Sequence, residues 1–550
     1  MNQSLRDDVV AWMALDPDED DRRTLQELLD ADDEGELERR FADPLTFGTA
    51  GLRGPEMAGP AGMNRATVRR ATQGVLAWLR ETGVDATRGV VVGRDARHGS
   101  ETFNDEVVRV LLGGGAVVYE LPSALPTPFV PFCVKALDAA AGVMITASHN
   151  PPEDNGYKLY ASDGAQIIPP DDEIVERYAR DAGPATLADR SSPGHRTVSQ
   201  SLLEDYRAHV LGRFGVDGGS ELRVTYTPLH GVGGETMTRL FADAGYAHVT
   251  TVTRQFTPDG SFPTLPFPNP EEPGALDLAV AAANESNSVL IIANDPDADR
   301  LGAAARTDEG WHLLRGDEIG WLLASALLDE IAAAGQMVAT TIVSSSMLEK
   351  MAAASGVSFA TTLTGFKWIA RAARGGVLGF GYEEALGFAV DARVADKDGL
   401  SAALALSRLA HELSLKGQTV LDRLDELETR FGVHSTSQLA LRATGAEGPA
   451  TIRSVVEKLA SEPPTMLGML DVREVVDLNE GWRGLLPTEG LYFGLGKWGR
   501  VIVRPSGTEP KVKAYIEVTP PQKRSLDDQR TYGAELVAGV RSNLELLLRF

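Results

Sequence analysis

The chain has 550 residues, too many for one hydrophobic core at ~100–200 residues per domain, so several domains are expected. A hydrophobic share of 43% and a charged share of 24% suit a globular protein, and a formal net charge of -25 argues against nucleic acid or an anionic membrane as partner. A single cysteine, Cys133, excludes an internal disulfide framework and a thiolate-rich zinc site.

MNQSLRDDVVAW carries acidic residues where a secretory signal would need an apolar run. No stretch approaches ~18 uninterrupted apolar residues, so the expected location is cytoplasmic, without membrane contact. LQELLDADDEGELERRF reads as charged helix with leucines at helical spacing, lying against the first domain. A repeating grammar follows, in which a β-rich apolar run ends in a polar or glycine-bearing loop. VVVGRDAR (90–97), GVMITASHN (142–150), VLIIANDPDADR (289–300), VLGFGYEEALGF (377–388) and RVIVRPSGTEP (500–510) all follow it. Helical segments such as ETFNDEVVRVLLGGG and DEIGWLLASALLDEIAAAG separate these runs, which predicts α/β units with buried, largely parallel strands. Ligands of such sheets gather at the strands' carboxyl ends, where all five polar loops fall. DAGPATLADRSSPGHRTVSQ (181–200) reads as a linker, and GAEGPAT with SEPPT as a second one before a smaller C-terminal domain. The predicted domains are 1–204, 205–322, 323–445 and 446–550.

DPDADR is the most telling piece. In an extended segment every second side chain points to one side, so Asp295, Asp297 and Asp299 converge and need a cation to offset their repulsion. Hard oxygen ligands suit Mg2+ or Ca2+. An EF-hand is excluded because its sixth and twelfth positions would be Arg300 and Arg306, in place of glycine and glutamate. Three protein ligands leave room for a phosphate oxygen, which favours magnesium. A solvated acidic turn is the plain alternative.

Ser148 in TASHNPPEDNGYK lacks the flanking glycines of G-x-S-x-G. His149 is expected to face away from it, as neighbours on an extended segment do. A phosphate carrier and an ordinary turn serine both remain open. RPSGTEPK offers small residues whose N–H groups can turn around an anion, with Arg504 as a charged fork. GYEEALG offers Glu383 and Glu384 to sugar hydroxyls, and GTAGLRG, DKDG and TGFKW present Arg53, Lys397 and Lys367. Each of these loops alone fits a solvated turn equally well. Together they give an acidic chain a set of cations on glycine-rich loops: Arg53, Lys158, Arg300, Lys397, Arg504 and Lys511. Phosphate-monoester chemistry can demand accelerations near ~10²¹-fold. One arginine contributes only ~10³–10⁵, so a metal, a nucleophile and several cations must act together.

TASHNPPEDNGYK, DPDADR, GYEEALG and RPSGTEPK, in this order and over nearly the whole chain, resemble the α-D-phosphohexomutase superfamily of phosphoglucomutases, phosphomannomutases and phosphopentomutases. The resemblance implies an α/β four-domain heart-shaped architecture, three related α/β domains plus a smaller α+β C-terminal domain, around a central cleft. It implies Ser148 as phosphoserine and Mg2+ ligand, and Asp295, Asp297 and Asp299 as the other metal ligands. Arg53, His149, Lys158 and Arg300 are its catalytic companions. Gly365, Lys367, Glu383, Ala385 and Lys397 are implied substrate contacts, and Arg504, Ser506, Gly507, Thr508 and Lys511 form the phosphate-gripping loop. Ala385 departs from the serine usual in hexose mutases, and FPTLPFPNPEE, TPLHGVGG and TGFKWI look closer to the phosphopentomutase branch. The implied activity is sugar 1-phosphate to 6-phosphate exchange on glucose or mannose through a sugar 1,6-bisphosphate. Alternatives are a phosphopentomutase, or a sugar-bisphosphate synthase or phosphatase using the same site. The implied partner is a small sugar phosphate, and the chain a monomer or homodimer.

Overall fold

A computed structural model describes residues 2–48, 51–443, 448–505 and 511–549. The chain forms two compact units, Met1–Arg315 with Ala385–Glu412, and Gly316–Glu384 with Leu413–Phe550.

The first unit opens with three helices, Gln3–Met13, Glu19–Asp30 and Glu34–Phe41, rather than one continuous charged helix. Val9, Trp12, Leu25, Leu29 and Leu37 pack with Ala58 and Ala66 of the adjoining domain, as the leucine spacing predicts. Its first sheet comprises β1 (Leu52–Pro55), β2 (Val90–Arg94), β3 (Val118–Glu120), β4 (Ala141–Ile145), β5 (Asp154–Ala161) and β6 (His195–Thr197). The order is β1-β5-β4-β2-β3-β6. Strands β4, β2, β3 and β6 run parallel, while β5 is antiparallel to both of its neighbours, β4 and β1. Every residue of β4 (AGVMI) is buried, because a parallel strand covered on both faces needs an unbroken apolar run. β6 lies inside the stretch read as a linker: Val118 N–H bonds to the Gly194 carbonyl, and the segment completes the sheet before the chain leaves it. Helix Arg65–Glu81 buries ten residues, of which Val68, Ala71, Val75, Leu76, Trp78 and Leu79 share a core with this sheet, and starts at Asn64, whose side chain accepts from Thr67 N.

The second sheet of this unit has β7 (Ser220–Thr227), β8 (Tyr246–Thr251), β9 (Leu290–Ala293), β10 (Gly302–Thr307) and β11 (Gly310–Leu314), in the order β11-β10-β9-β7-β8. β8, β7 and β9 are parallel, and the β10–β11 hairpin extends the edge antiparallel.

The second unit carries a parallel set, β12 (Met337–Thr341), β13 (Ser358–Thr362) and β14 (Leu378–Glu383), with β12 in the middle. A second sheet in this unit is antiparallel throughout, ordered Ser435–Arg442, Lys511–Val518, Gly499–Pro505, Leu491–Gly494, Glu474–Asp477. RVIVRP is therefore a central antiparallel strand, not another parallel α/β strand. The apolar run misleads because helix Leu526–Leu547 and the Ile342/Tyr492/Tyr515 cluster bury residues of this sheet, which removes the alternation of a one-faced sheet.

Candidate active site

Strand β4 delivers the serine loop and β9 the aspartate loop, both at carboxyl ends of parallel strands. Ser148 has φ of 55° and is 1% exposed. Its N–H donates to Thr146 Oγ1 (2.8 Å), and Thr146 Oγ1 donates to Asp95 Oδ2 (2.7 Å). This left-handed turn brings Ser148 Oγ within 3.2 Å of His149 Nδ1. The expectation that His149 faces away therefore fails, because the segment is a turn and not extended.

Asp295, Asp297 and Asp299 are fully buried, with ligand oxygens all within 4.8 Å of one another. The carboxylates do converge, yet the strand has ended. Ala298, at φ 56°, closes a turn in which its N–H bonds to the Asp295 carbonyl. Gly231 of TPLHGVGG lets backbone ride over this loop: a Cβ there would lie 2.3 Å from Pro296 Cα, and Val232 N–H bonds to the Pro296 carbonyl. Ser148 Oγ donates to Asp295 Oδ2 at 2.7 Å, across 147 residues of sequence.

Lys158, on β5 and fully buried, reaches Asp297 Oδ2 (2.7 Å) and Asp299 Oδ2 (2.6 Å). Lys397 Nζ lies 3.5 Å from Asp299 Oδ2, since the segment Ala385–Glu412 packs within the first unit. Arg300 N–H donates to Asp295 Oδ1 (3.0 Å), and its Nε lies 4.0 Å from Asp295 Oδ2. Arg53 sits on β1 opposite Gly156 of β5.

These surroundings split the carboxylates. Burial, then the charges of Asp297 and Asp299, pushes the Asp295 carboxyl well above its ordinary range. Burial works the same way on Asp299, but Lys158, Lys397 and Arg300 outweigh it and hold that group low. Asp297 also ends below its ordinary range: burial and Asp299 oppose, while Lys158 and Thr127 prevail. Burial, followed by Arg300 and Arg53, keeps the His149 imidazole neutral.

The donor set fits a hard divalent cation. Asp297 Oδ1 and Asp299 Oδ1 are buried with no hydrogen-bond partner, so two carboxylate oxygens retain unused lone pairs beside Asp295. Unpartnered buried anionic oxygens are costly in an apo protein and natural for an ion of the Mg2+ type.

Two residues without a role in the sequence reading belong to this site. Thr127 donates its N–H to the Asp297 carbonyl (2.9 Å) and its hydroxyl to Asp297 Oδ2 (2.7 Å). Asp95 anchors the serine loop by accepting from Thr146 Oγ1, and also accepts from Ser100 Oγ at the start of the helix Ser100–Gly113. Asp95 had a usable signal, a charged residue at the carboxyl end of an apolar strand; LPTP around Thr127 had none.

In the second unit, Gly365 N–H donates to Glu383 Oε1 (2.9 Å), which joins TGFKW to GYEEALG. Lys367 follows on the short helix Phe366–Ile369. Glu384, half-buried, accepts from Ser344 Oγ (2.9 Å). Burial, then Glu383 and Asp317, lifts its carboxyl to about 7. Arg504 lies on the strand Gly499–Pro505 opposite Lys513, and Lys511 begins the next strand. Ser506, Gly507 and Thr508 lie outside the described residues. Ala385 is half-buried in the first unit.

Four consecutive domain descriptions match the chain: phosphoglucomutase/phosphomannomutase alpha/beta/alpha domain I over residues 44–184, domain II over 204–310, domain III over 315–431, and the C-terminal domain over 452–529. A Haemophilus influenzae protein named "Probable phosphomannomutase" is 37% identical over 83% of this chain and 93% of its own length. The chain belongs to the phosphoglucomutase/phosphomannomutase family. A Schizosaccharomyces pombe relative named "Probable phosphoribomutase" is 35% identical over 98% of both chains. The fold is shared with the crystal structure of a phosphoglucomutase/phosphomannomutase family protein from Burkholderia thailandensis, at a TM-score of 0.68 and 19% identity, covering 92% of this chain and 97% of that one. Among the described residues no helix is long and apolar enough to cross a membrane.

Proposed function

We propose that this chain is a magnesium-dependent phosphosugar mutase that exchanges the 1- and 6-phosphates of glucose or mannose. One contact carries this above all: the Ser148 hydroxyl lies 2.7 Å from a carboxylate of a buried aspartate triad. In the first half-reaction phospho-Ser148 gives its phosphoryl group to the free hydroxyl of the sugar monophosphate. The Oγ–P bond breaks, a sugar O–P bond forms, and the hydroxyl proton passes to the neutral His149 imidazole, which lies 3.2 Å from the Ser148 Oγ that then needs a proton, with Lys158 and Arg53 as the cations beside it. The sugar 1,6-bisphosphate then turns end for end and returns its other phosphate to Ser148. Asp295, Asp297, Asp299 and the phosphoserine would hold Mg2+, which would neutralise charge on the transferred group. Arg300 adds positive charge beside it. Gly365, Lys367, Glu383, Ala385 and Lys397 take the sugar, and Arg504, Ser506, Gly507, Thr508 and Lys511 grip the phosphate not in transit. The four functional domains run 1–204, 205–322, 323–445 and 446–550.

A second reading, phosphopentomutase, is favoured by the relative named for ribose phosphate, which aligns along nearly the full chain. Ala385 also lacks a hydroxyl that could discriminate at the sugar ring. Glucose, mannose, ribose and deoxyribose 1-phosphates assayed side by side with Mg2+ and the matching bisphosphate decide between them. Ser148→Ala should abolish turnover in every case, and a near wild-type rate would refute the carrier role. Free phosphate released faster than isomerised sugar would turn the assignment to a phosphatase.

A further inference from the structure

The Ser148 turn is strained, and what holds it is a side chain outside the site described so far. Arg97, at the end of VVVGRDAR, is fully enclosed, its side chain 1% exposed. It gathers four carbonyl groups of the serine loop. Nη2 donates to the carbonyls of Ser148 (2.6 Å) and Asn150 (2.7 Å), and Nη1 to those of Pro151 (2.7 Å) and Asp154 (2.9 Å). Its Nε lies 3.3 Å from Asp95 Oδ2, the same oxygen that receives Thr146 Oγ1, the group that accepts from Ser148 N–H. Both peptide groups flanking the Ser148 side chain are thus fixed by one Asp95–Arg97 pair. A single fork spanning four acceptors is something only a planar guanidinium provides.

Arg97 is covered from the second sheet's side of the same unit. The Phe262 ring lies 5.0 Å from its guanidinium carbon. Phe262 is itself held at φ 44°, in the left-handed region that a bulky residue adopts only under constraint. Phe262 N–H bonds to the Asp259 carbonyl, and Asp259 N–H to the His230 carbonyl, which ties this turn to the TPLHGVGG loop on the aspartate loop. Gly260 lies flat on the backbone of 96–98, where a Cβ would come within 2.9 Å of His98 N and 3.0 Å of Arg97 Cα. His98 Nε2 and Ser261 Oγ meet at 2.9 Å.

We propose that Arg97 is a positioning residue for phosphoryl transfer, and that the 259–262 turn clamps it in place. Arg97 sets the Ser148 turn, the turn at 259–262 joins Arg97 to the loop backing Asp295–Asp299, and the pair fixes the spacing of the Ser148 oxygen to the metal site. This role rests on the mutase reading, because only there does Ser148 carry the group that moves.

The test uses the full-length protein with Mg2+, glucose 1-phosphate and glucose 1,6-bisphosphate, and compares wild type with Arg97→Lys and Phe262→Leu. A lysine reaches one or two of the four carbonyls, so Ser148 loses its register; a 1 Å misplacement costs ~10²-fold in rate. The expected result for Arg97→Lys is a kcat about 100-fold lower with KM within a factor of two. Phosphorylated Ser148, read by intact mass after incubation with bisphosphate, should form correspondingly slowly. Phe262→Leu leaves the fork intact and should lower kcat about tenfold, again at unchanged KM. Wild-type kcat in folded Arg97→Lys, or a loss confined to KM, overturns the inference. If Arg97→Lys does not fold by circular dichroism, wild-type kcat in Phe262→Leu overturns it instead. A wild-type protein that neither isomerises sugar phosphates nor takes phosphate on Ser148 refutes the mutase reading and this role with it. An active wild type with unaffected variants refutes this role alone.

Discussion

Lys158→Met tests the electrostatics of the aspartate loop most directly. Methionine is one atom shorter than lysine but close to it in volume, so the change chiefly removes charge. In the wild type a buried ammonium bonds Asp297 Oδ2 and Asp299 Oδ2 at 2.7 and 2.6 Å, and all three side chains have zero exposure. Removing one partner of a buried pair costs ~3–5 kcal/mol, and one cation serving two carboxylates places this case at the upper end. The loss should show as a melting midpoint lower by on the order of 10 °C for the EDTA-treated protein at neutral pH. Mg2+ at 100 times its dissociation constant adds ~2.7 kcal/mol to a form that binds it, so metal should raise the variant's midpoint above its own value in EDTA. The pH dependence follows from sign. Asp297 and Asp299 are held below their ordinary range in the fold, so their stabilisation is present above the unfolded carboxylate range and lost as pH falls through the folded one. The gap between wild type and variant should therefore narrow in acid, where the variant's carboxylates take protons. Equal midpoints in EDTA at neutral pH would refute the claim that Lys158 is the principal counter-charge of the triad.

Thr127→Val keeps shape and removes the hydroxyl that orients Asp297; Mg2+ affinity, read by calorimetry, should weaken 10–100-fold in order of magnitude. Glu384→Gln should flatten part of the stability–pH profile. The Glu384 carboxyl titrates at about 7 in the fold against an ordinary 4.5, so its contribution is full below the lower value and is lost as pH rises through the upper one. The variant should gain at most ~3 kcal/mol over wild type at pH 8 and match it near pH 4, as measured by thermal unfolding at both values. Chelation of the wild type should lower its own midpoint by a few degrees, reversed by Mg2+, through the same linkage.

Much of the fold was legible because its strands obey local rules. AGVMI and LIIA are unbroken apolar runs, as strands covered on both faces require, and each ends in the loop that carries chemistry. RVIVRP obeys the same rule for a different reason, and so its antiparallel setting was not legible. The aspartate triad was found by its i, i+2 spacing, although a turn at Ala298, and not strand alternation, brings the carboxylates together.

The sequence by itself determined which groups are available: a serine on a polar loop, three carboxylates within five residues, and cations spaced along glycine-rich segments. Tertiary structure alone decided which group meets which. Lys158 reaches aspartates 139 and 141 positions away, Thr127 reaches Asp297 across 170, and Arg97 closes on carbonyls more than 50 residues downstream. Those pairings depend on strand order and on backbone turns with positive φ, neither of which leaves a periodic trace in the chain. Local patterns fix what a segment can do; only packing fixes the distance over which a charge or a hydrogen bond acts.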